Sequence, residues 1–154
     1  MSVPETYCHE ITFATPEYDE AVSLRYEVLR KPLHLDFLPE DLAAEYDSIH
    51  VACYASSSAE LLGVLILKPL NSETVKMRQV AVSPTMQSRG VGSFLVRHSE
   101  ALAKNRGFIR IELHARQAAV PFYRNLGYHE QGSLFEEVGI PHLYMWKELN
   151  QTDD

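Results

Sequence analysis

The chain has 154 residues, 45% of them hydrophobic and 23% charged, with a formal net charge of −7. That profile fits one soluble domain with a sizeable core and excludes a general nucleic-acid surface. No apolar run is long enough to span a membrane, and the start Met1-Ser2-Val3-Pro4-Glu5 is not a signal peptide; a cytoplasmic location is expected, with no membrane or nucleic-acid partner.

Residues 7–13 alternate as a first strand. Residues 17–30 read as a helix in which Ala21, Leu24, Val28 and Leu29 share a face, stopped by Pro32. A short second helix is expected over 38–47. Residues 50–55 and 61–68 form a strand pair around the turn Ser56-Ser57-Ser58. A fourth strand covers 74–82. A long helix follows over 90–106, with Val91, Phe94, Leu95, His98 and Leu102 as its apolar stripe and Gly107 as its stop. Residues 108–114 alternate as a strand, 118–126 read as a short helix closed by Gly127, and 128–135 and 140–149 are closing strands. The pattern predicts a single mixed α/β domain over residues 1–154, with helices covering a sheet and a frayed tail at 151–154. Cys8 and Cys53 fall in strands without metal-ligand spacing and read as buried thiols.

The fourth strand carries an irregularity. Val75 and Met77 have one parity, Val80 and Val82 the other. A strand keeps one apolar face with a period of two, so the flip predicts a β-bulge between Met77 and Val80. The alternative is a strand buried on both faces, where parity carries no meaning.

Directly after it, Gln87-Ser88-Arg89-Gly90-Val91-Gly92-Ser93 leads from a Pro-initiated turn into the long helix. Glycines at a helix start let a phosphate approach bare backbone N–H groups, where the helix dipole favours negative charge. A Walker loop would need Gly-Lys-Ser/Thr, which is missing. A Rossmann turn would need a third glycine where Leu95 stands.

Gln87-x-x-Gly90-x-Gly92 resembles motif A of the GNAT superfamily, the acyl-CoA-dependent N-acyltransferases. Ala119-Val120-Pro121-Phe122-Tyr123-Arg124-Asn125-Leu126-Gly127-Tyr128 resembles its motif B. The resemblance runs from about Leu61 to the end. Gly132-x-x-Phe135-x-Glu137-x-Gly139-Ile140-Pro141-His142-x-x-Met145 is similar to the tail of a subgroup of small bacterial GNAT proteins. The family implies a mixed, mostly antiparallel sheet of six to seven strands flanked by helices, with a bulge in the fourth strand. It also implies acetyl-CoA as co-substrate, an amine acceptor that is a small molecule or a peptide, and no metal. Paired subunits are common in the family, which leaves a homodimer open.

By that resemblance, the backbone of Val80, Ala81 and Val82 holds the pantetheine arm. The backbone of Gln87, Ser88, Arg89, Gly90, Val91, Gly92 and Ser93 holds the pyrophosphate. Arg89 is either a phosphate contact or a solvated loop residue. Phe122 is placed at the cofactor. Arg116 stands where the family often has asparagine, and is either a phosphate ligand or exposed. Tyr123 matches the family's frequent general acid, a phenol that protonates the leaving thiolate. Lys76 occupies the neighbourhood where some members carry a glutamate base. The base is therefore sought elsewhere, among His114 and Glu137, with Glu112 and His142 as acceptor-binding groups. His114, Glu137 and His142 lack compact zinc spacing. The expected reaction is acetyl transfer from acetyl-CoA to a primary amine in a ternary complex, the acidic balance favouring a cationic acceptor. The alternative is an acyl-CoA-binding sensor or interaction module without turnover.

Overall fold

The computed structural model describes residues 5–149; the tail expected at 151–154 lies outside them. β1 (Thr6–Ile11) is followed by α1 (Pro16–Arg25). The Thr15 side chain accepts the Tyr18 N–H, Pro16 sits in the first turn, and Glu17 and Asp19 complement the dipole. The helix expected over 17–30 does not run through. After Arg25 it widens into a π-turn, Tyr26–Arg30, and then tightens to a 3-10 turn, Lys31–Leu33. Pro32 has no N–H to return to residue 28 and crowds that carbonyl. The neighbouring N–H groups instead bond five residues back, Lys31 to Tyr26 and Leu35 to Arg30. The second helix is likewise split into α2 (Pro39–Ala43) and a 3-10 turn, Ala44–Asp47.

β2 (Ile49–Ala55), β3 (Leu61–Pro69) and β4 (Thr74–Val82) form a meander. α3 (Val91–Asn105) crosses to β5 (Arg110–Arg116); α4 (Val120–Asn125) and the hairpin of β6 (His129–Glu137) and β7 (Ile140–Glu148) complete the fold. The sheet has seven strands in the order β1-β2-β3-β4-β5-β7-β6. All neighbours are antiparallel except β4 and β5. α3 and α4 cover one face over the main core, which includes Val51, Leu65, Leu67, Val75, Ile111, Leu113 and Met145. α1 covers the other face of β1 to β4, where Ala21 packs with Ile11, Ala52, Val64 and Ala81. Cys8 and Cys53 face each other across β1 and β2 as free thiols.

The stripe of α3 is rotated from the one expected: Val91, Leu95, Val96, Ser99 and Ala103 are buried, while Phe94 is 42% exposed. Small residues decide this. Ser99 and Ala103 let the helix approach the sheet, and Gly63 leaves room for Leu95 and Val91.

The bulge stands where the parity flip places it. Val64 pairs with Ala81 and Ile66 with Arg78, so Gln79 and Val80 together oppose Leu65 alone. Gln79 takes a φ of +56°. β4 and β5 pair only from Thr74↔Arg110 to Met77↔Leu113. Beyond Met77 the two strands part, and the gap between them positions the site.

Candidate active site

On one side of the gap, a cleft of about 530 Å³ is lined by Val80 and Val82 of β4, the loop residues Gln87, Ser88 and Gly90, Gly92 and Ser93 of α3, and Phe122 and Tyr123 of α4, with Val28 and Ala119. The Ser83 N–H bonds the Leu62 carbonyl. The alternation of an antiparallel ladder then turns the Val82 N–H and C=O away from β3. The Gln87 amide donates to that carbonyl at 3.1 Å, which leaves the Val82 N–H facing the cleft.

α3 begins without a side-chain cap and without an acidic residue in its first turn. Its leading N–H groups therefore remain open to an anion. Gly90 holds φ +89° at the N-cap, a conformation costly for other residues. At Gly92 a β-carbon would lie 3.3 Å from Phe122 Cζ, so the bare backbone is what lets α3 and α4 close around the cleft. These features fit a pyrophosphate at the helix end and an extended amide-bearing arm along β4, the two parts of coenzyme A.

On the other side of the gap lies a smaller cavity of about 260 Å³ that shares Val80, Ala119 and Tyr123 with the cleft. Its wall is the polar face of β5, where Ile111, Leu113 and Ala115 are buried beneath and Arg110, Glu112, His114 and Arg116 face outward. The β6–β7 hairpin brings Glu137 and His142 to the same place. The His114 Nδ1–H donates to Glu137 Oε2 at 2.9 Å, and His142 Nε2 lies 3.9 Å from Glu137 Oε1. The His142 Nδ1–H donates to the Ile140 carbonyl. Burial alone would raise the Glu137 carboxyl, but the hydrogen bond and charge of His114, with His142 and Lys76 nearby, hold it below its usual range. A carboxylate that fixes Nδ1 as the donor leaves His114 Nε2 as the proton acceptor.

Tyr123 stands where the two cavities meet. It is 7% exposed, with its ring edge-on to Phe122 and Tyr128. Burial pushes its phenol well up, so it keeps its proton at neutral pH.

The other expected residues are placed as follows. The Ala81 side chain is buried beside Val64, and the Val91 side chain belongs to the main core while its backbone opens α3. Arg89 lines neither cavity. Arg116 lies in the smaller cavity rather than the cleft and donates to the Leu29 carbonyl at 2.9 Å. Glu112 does not line the cavity; it accepts the Tyr144 hydroxyl at 2.6 Å. Arg30, Arg78 and Gln79 line the cavity although the sequence reading did not select them. Arg30 sits in the π-turn and Arg78 beside the bulge, so only the three-dimensional arrangement reveals their shared wall. A buried, partnerless Gln79 Oε1 faces no protein donor.

The family model of the acetyltransferase (GNAT) domain matches residues 17–149. The chain belongs to the GNAT family of acetyltransferases. It is 29% identical over 130 residues to YjcF of Bacillus subtilis, described as an uncharacterized N-acetyltransferase, covering 84% of this chain and 91% of that one. The uncharacterized protein YyaT of the same organism is 32% identical over 79 residues, which is 51% of this chain and 53% of YyaT; that match spans about half of either length. An aminoglycoside 6'-N-acetyltransferase solved with coenzyme A shares the fold with a TM-score of 0.76 at 20% identity, over 96% of this chain and 99% of that one. Among the described residues, no helix is long and apolar enough to cross a membrane, and no cluster of side chains could hold a metal ion.

Proposed function

We propose that this chain transfers the acetyl group of acetyl-CoA to a primary amine by direct attack in a ternary complex. One observation carries the reading: the cleft suited to coenzyme A and the cavity holding His114 and Glu137 meet at Tyr123. Acetyl-CoA, when bound, supplies a thioester as the activated acyl group. The backbone of Val80 and the N–H of Val82 hold the arm, and the start of α3 holds the pyrophosphate. The amine enters from the smaller cavity and gives its proton to His114 Nε2, whose tautomer Glu137 fixes. As the C–N bond forms and the C–S bond breaks, the thiolate takes a hydrogen bond or proton from Tyr123. The tail motif that supplies Glu137 and His142 supports placing the chain in the small bacterial subgroup.

The test is release of free CoA thiol from acetyl-CoA across a panel of primary amines. Tyr123→Phe should lower kcat by roughly a hundredfold while acetyl-CoA binding, followed by calorimetry, holds. His114→Gln should lower turnover similarly. Tight acetyl-CoA binding with no thiol release for any amine would point instead to a sensor module.

A further inference from the structure

The smaller cavity carries a charge opposite to that of the molecule. The chain stands at −7, yet Arg30, Lys76, Arg78 and Arg116 line this recess against one carboxylate, Glu137. That carboxylate is already engaged by His114 and lies beside His142. Among the described residues none of the four cations forms an ion pair. Arg116 reaches only a backbone carbonyl, and the buried Arg30 Nε has no partner. The cations converge from three segments: the π-turn after α1, strand β4 and the end of β5. Burial first, and then the neighbouring positive charges, lower the pKa of Arg30, Lys76 and Arg116, against an opposing pull from Asp41 and Glu137 on Arg30 and from Glu137 and Glu112 on Lys76. Like charges held together in a half-buried recess are unfavourable until an anion enters it.

We propose that the acceptor is a small amine that also bears a carboxylate or phosphate, received by Arg30, Arg78 and Arg116 while its amino group faces His114. This rests on the acyl-transfer reading above. Guanidinium forks match both oxyanions in geometry. At about 260 Å³, the cavity lies just below the range of drug-sized sites, roughly 300 to 1,000 Å³. A small molecule of amino-acid size fits it. A polycation such as a polyamine meets repulsion there, which reverses the preference read from net charge alone.

The experiment uses pairs of amines that differ in one anionic group: lysine against cadaverine, ornithine against putrescine, and 2-aminoethylphosphonate against ethylamine. Thiol release is measured for each with the full chain, and binding of each to the CoA-loaded protein is followed by calorimetry. The anionic member should win on kcat/KM and on affinity, and the carboxylate and phosphonate arms separate the two oxyanions. Arg78→Gln, at a side chain with no hydrogen-bond or ion-pair partner among the described residues, should raise KM for the anion-bearing amine roughly ten- to a hundredfold, with a smaller change in kcat and in the counterpart that lacks the anionic group. Arg78→Lys should recover part of the loss. Preferred turnover of the diamines, or an unchanged ratio in Arg78→Gln, overturns the proposal and leaves acyl transfer standing. Selective binding of the anionic amines without thiol release sustains it while acyl transfer fails. Absence of both binding and turnover for every anionic amine overturns it.

Discussion

Val138 is the residue whose backbone conformation is least suited to its side chain. It sits with Gly139 in the two-residue turn between β6 and β7, at φ +48°. A left-handed conformation costs about 1–2 kcal/mol for an ordinary residue, and a branched β-carbon makes it worse. Asparagine accepts this conformation and is favoured before glycine in such turns. Val138→Asn should therefore raise the unfolding free energy by about 1 kcal/mol, read as a higher urea midpoint with an unchanged slope. The strain lies next to Glu137, on the rim of the smaller cavity. At this scale a motif was not always a guide, since Arg89 lines neither cavity, but Tyr123, Glu137 and His142 line the smaller one and were all named from the pattern around them. Arg78 was not, because an isolated arginine on a strand looks like any solvated one. Its meaning comes from Arg30 and Arg116, 48 and 38 residues away in sequence.

Among the elements, α1 is anchored by charge as well as by apolar packing. Arg25, 1% exposed, reaches Glu45 in the 3-10 turn Ala44–Asp47 with two hydrogen bonds, of 2.9 and 2.6 Å. The Tyr18 hydroxyl donates to the same carboxylate at 2.8 Å, and the His50 Nε2–H donates to the Glu45 carbonyl. Phe37 packs under both Arg25 and Arg30, so this anchor also adjoins Arg30, one of the cations of the smaller cavity. Glu45→Gln leaves Arg25 buried without a counter-charge and should cost about 3–5 kcal/mol, whereas replacing both residues by Met should cost much less. Chemical denaturation of the two variants beside the parent protein checks this. Acid should release the same anchor in two stages. Burial depresses the His50 pKa, so its contribution is present above its unfolded pKa of about 6.5 and declines as pH falls below that. Burial would raise Glu45, but Arg25, Tyr18 and His50 outweigh it and hold the carboxyl low. Its contribution is present above the unfolded value of about 4.3 and is lost as pH falls through the lower folded one. A melting temperature that falls first below about pH 6.5 and again below about pH 4 is expected. The bulge in β4 was legible because two apolar pairs changed parity. The Arg25–Glu45 anchor was not, since neither residue breaks a periodic pattern and helix polar positions are ordinarily solvated.

For the molecule as a whole, one line of contact matters most. The sheet divides into β1 to β4 and β5 to β7, joined by a parallel ladder four residues long on β4, Thr74 to Met77. The succession of strands and helices along the chain followed from periodicity, and the glycine-bearing start of α3 from Gln87 to Ser93. The charge of the smaller cavity did not, because a net charge of −7 averages over a surface that folding sorts into patches. Coenzyme A at a hundredfold excess over its Kd should stabilise the folded chain by about 2.7 kcal/mol. The Val82 amide, which has no strand partner, should exchange with deuterium quickly in the free protein and slowly with CoA. The short ladder leaves the sheet as two plates with an unfinished joint beyond Met77. If coenzyme A lies along β4 as proposed, it acts as a splint: it supplies the bonds that β5 withholds, and the energy of binding becomes rigidity along that joint.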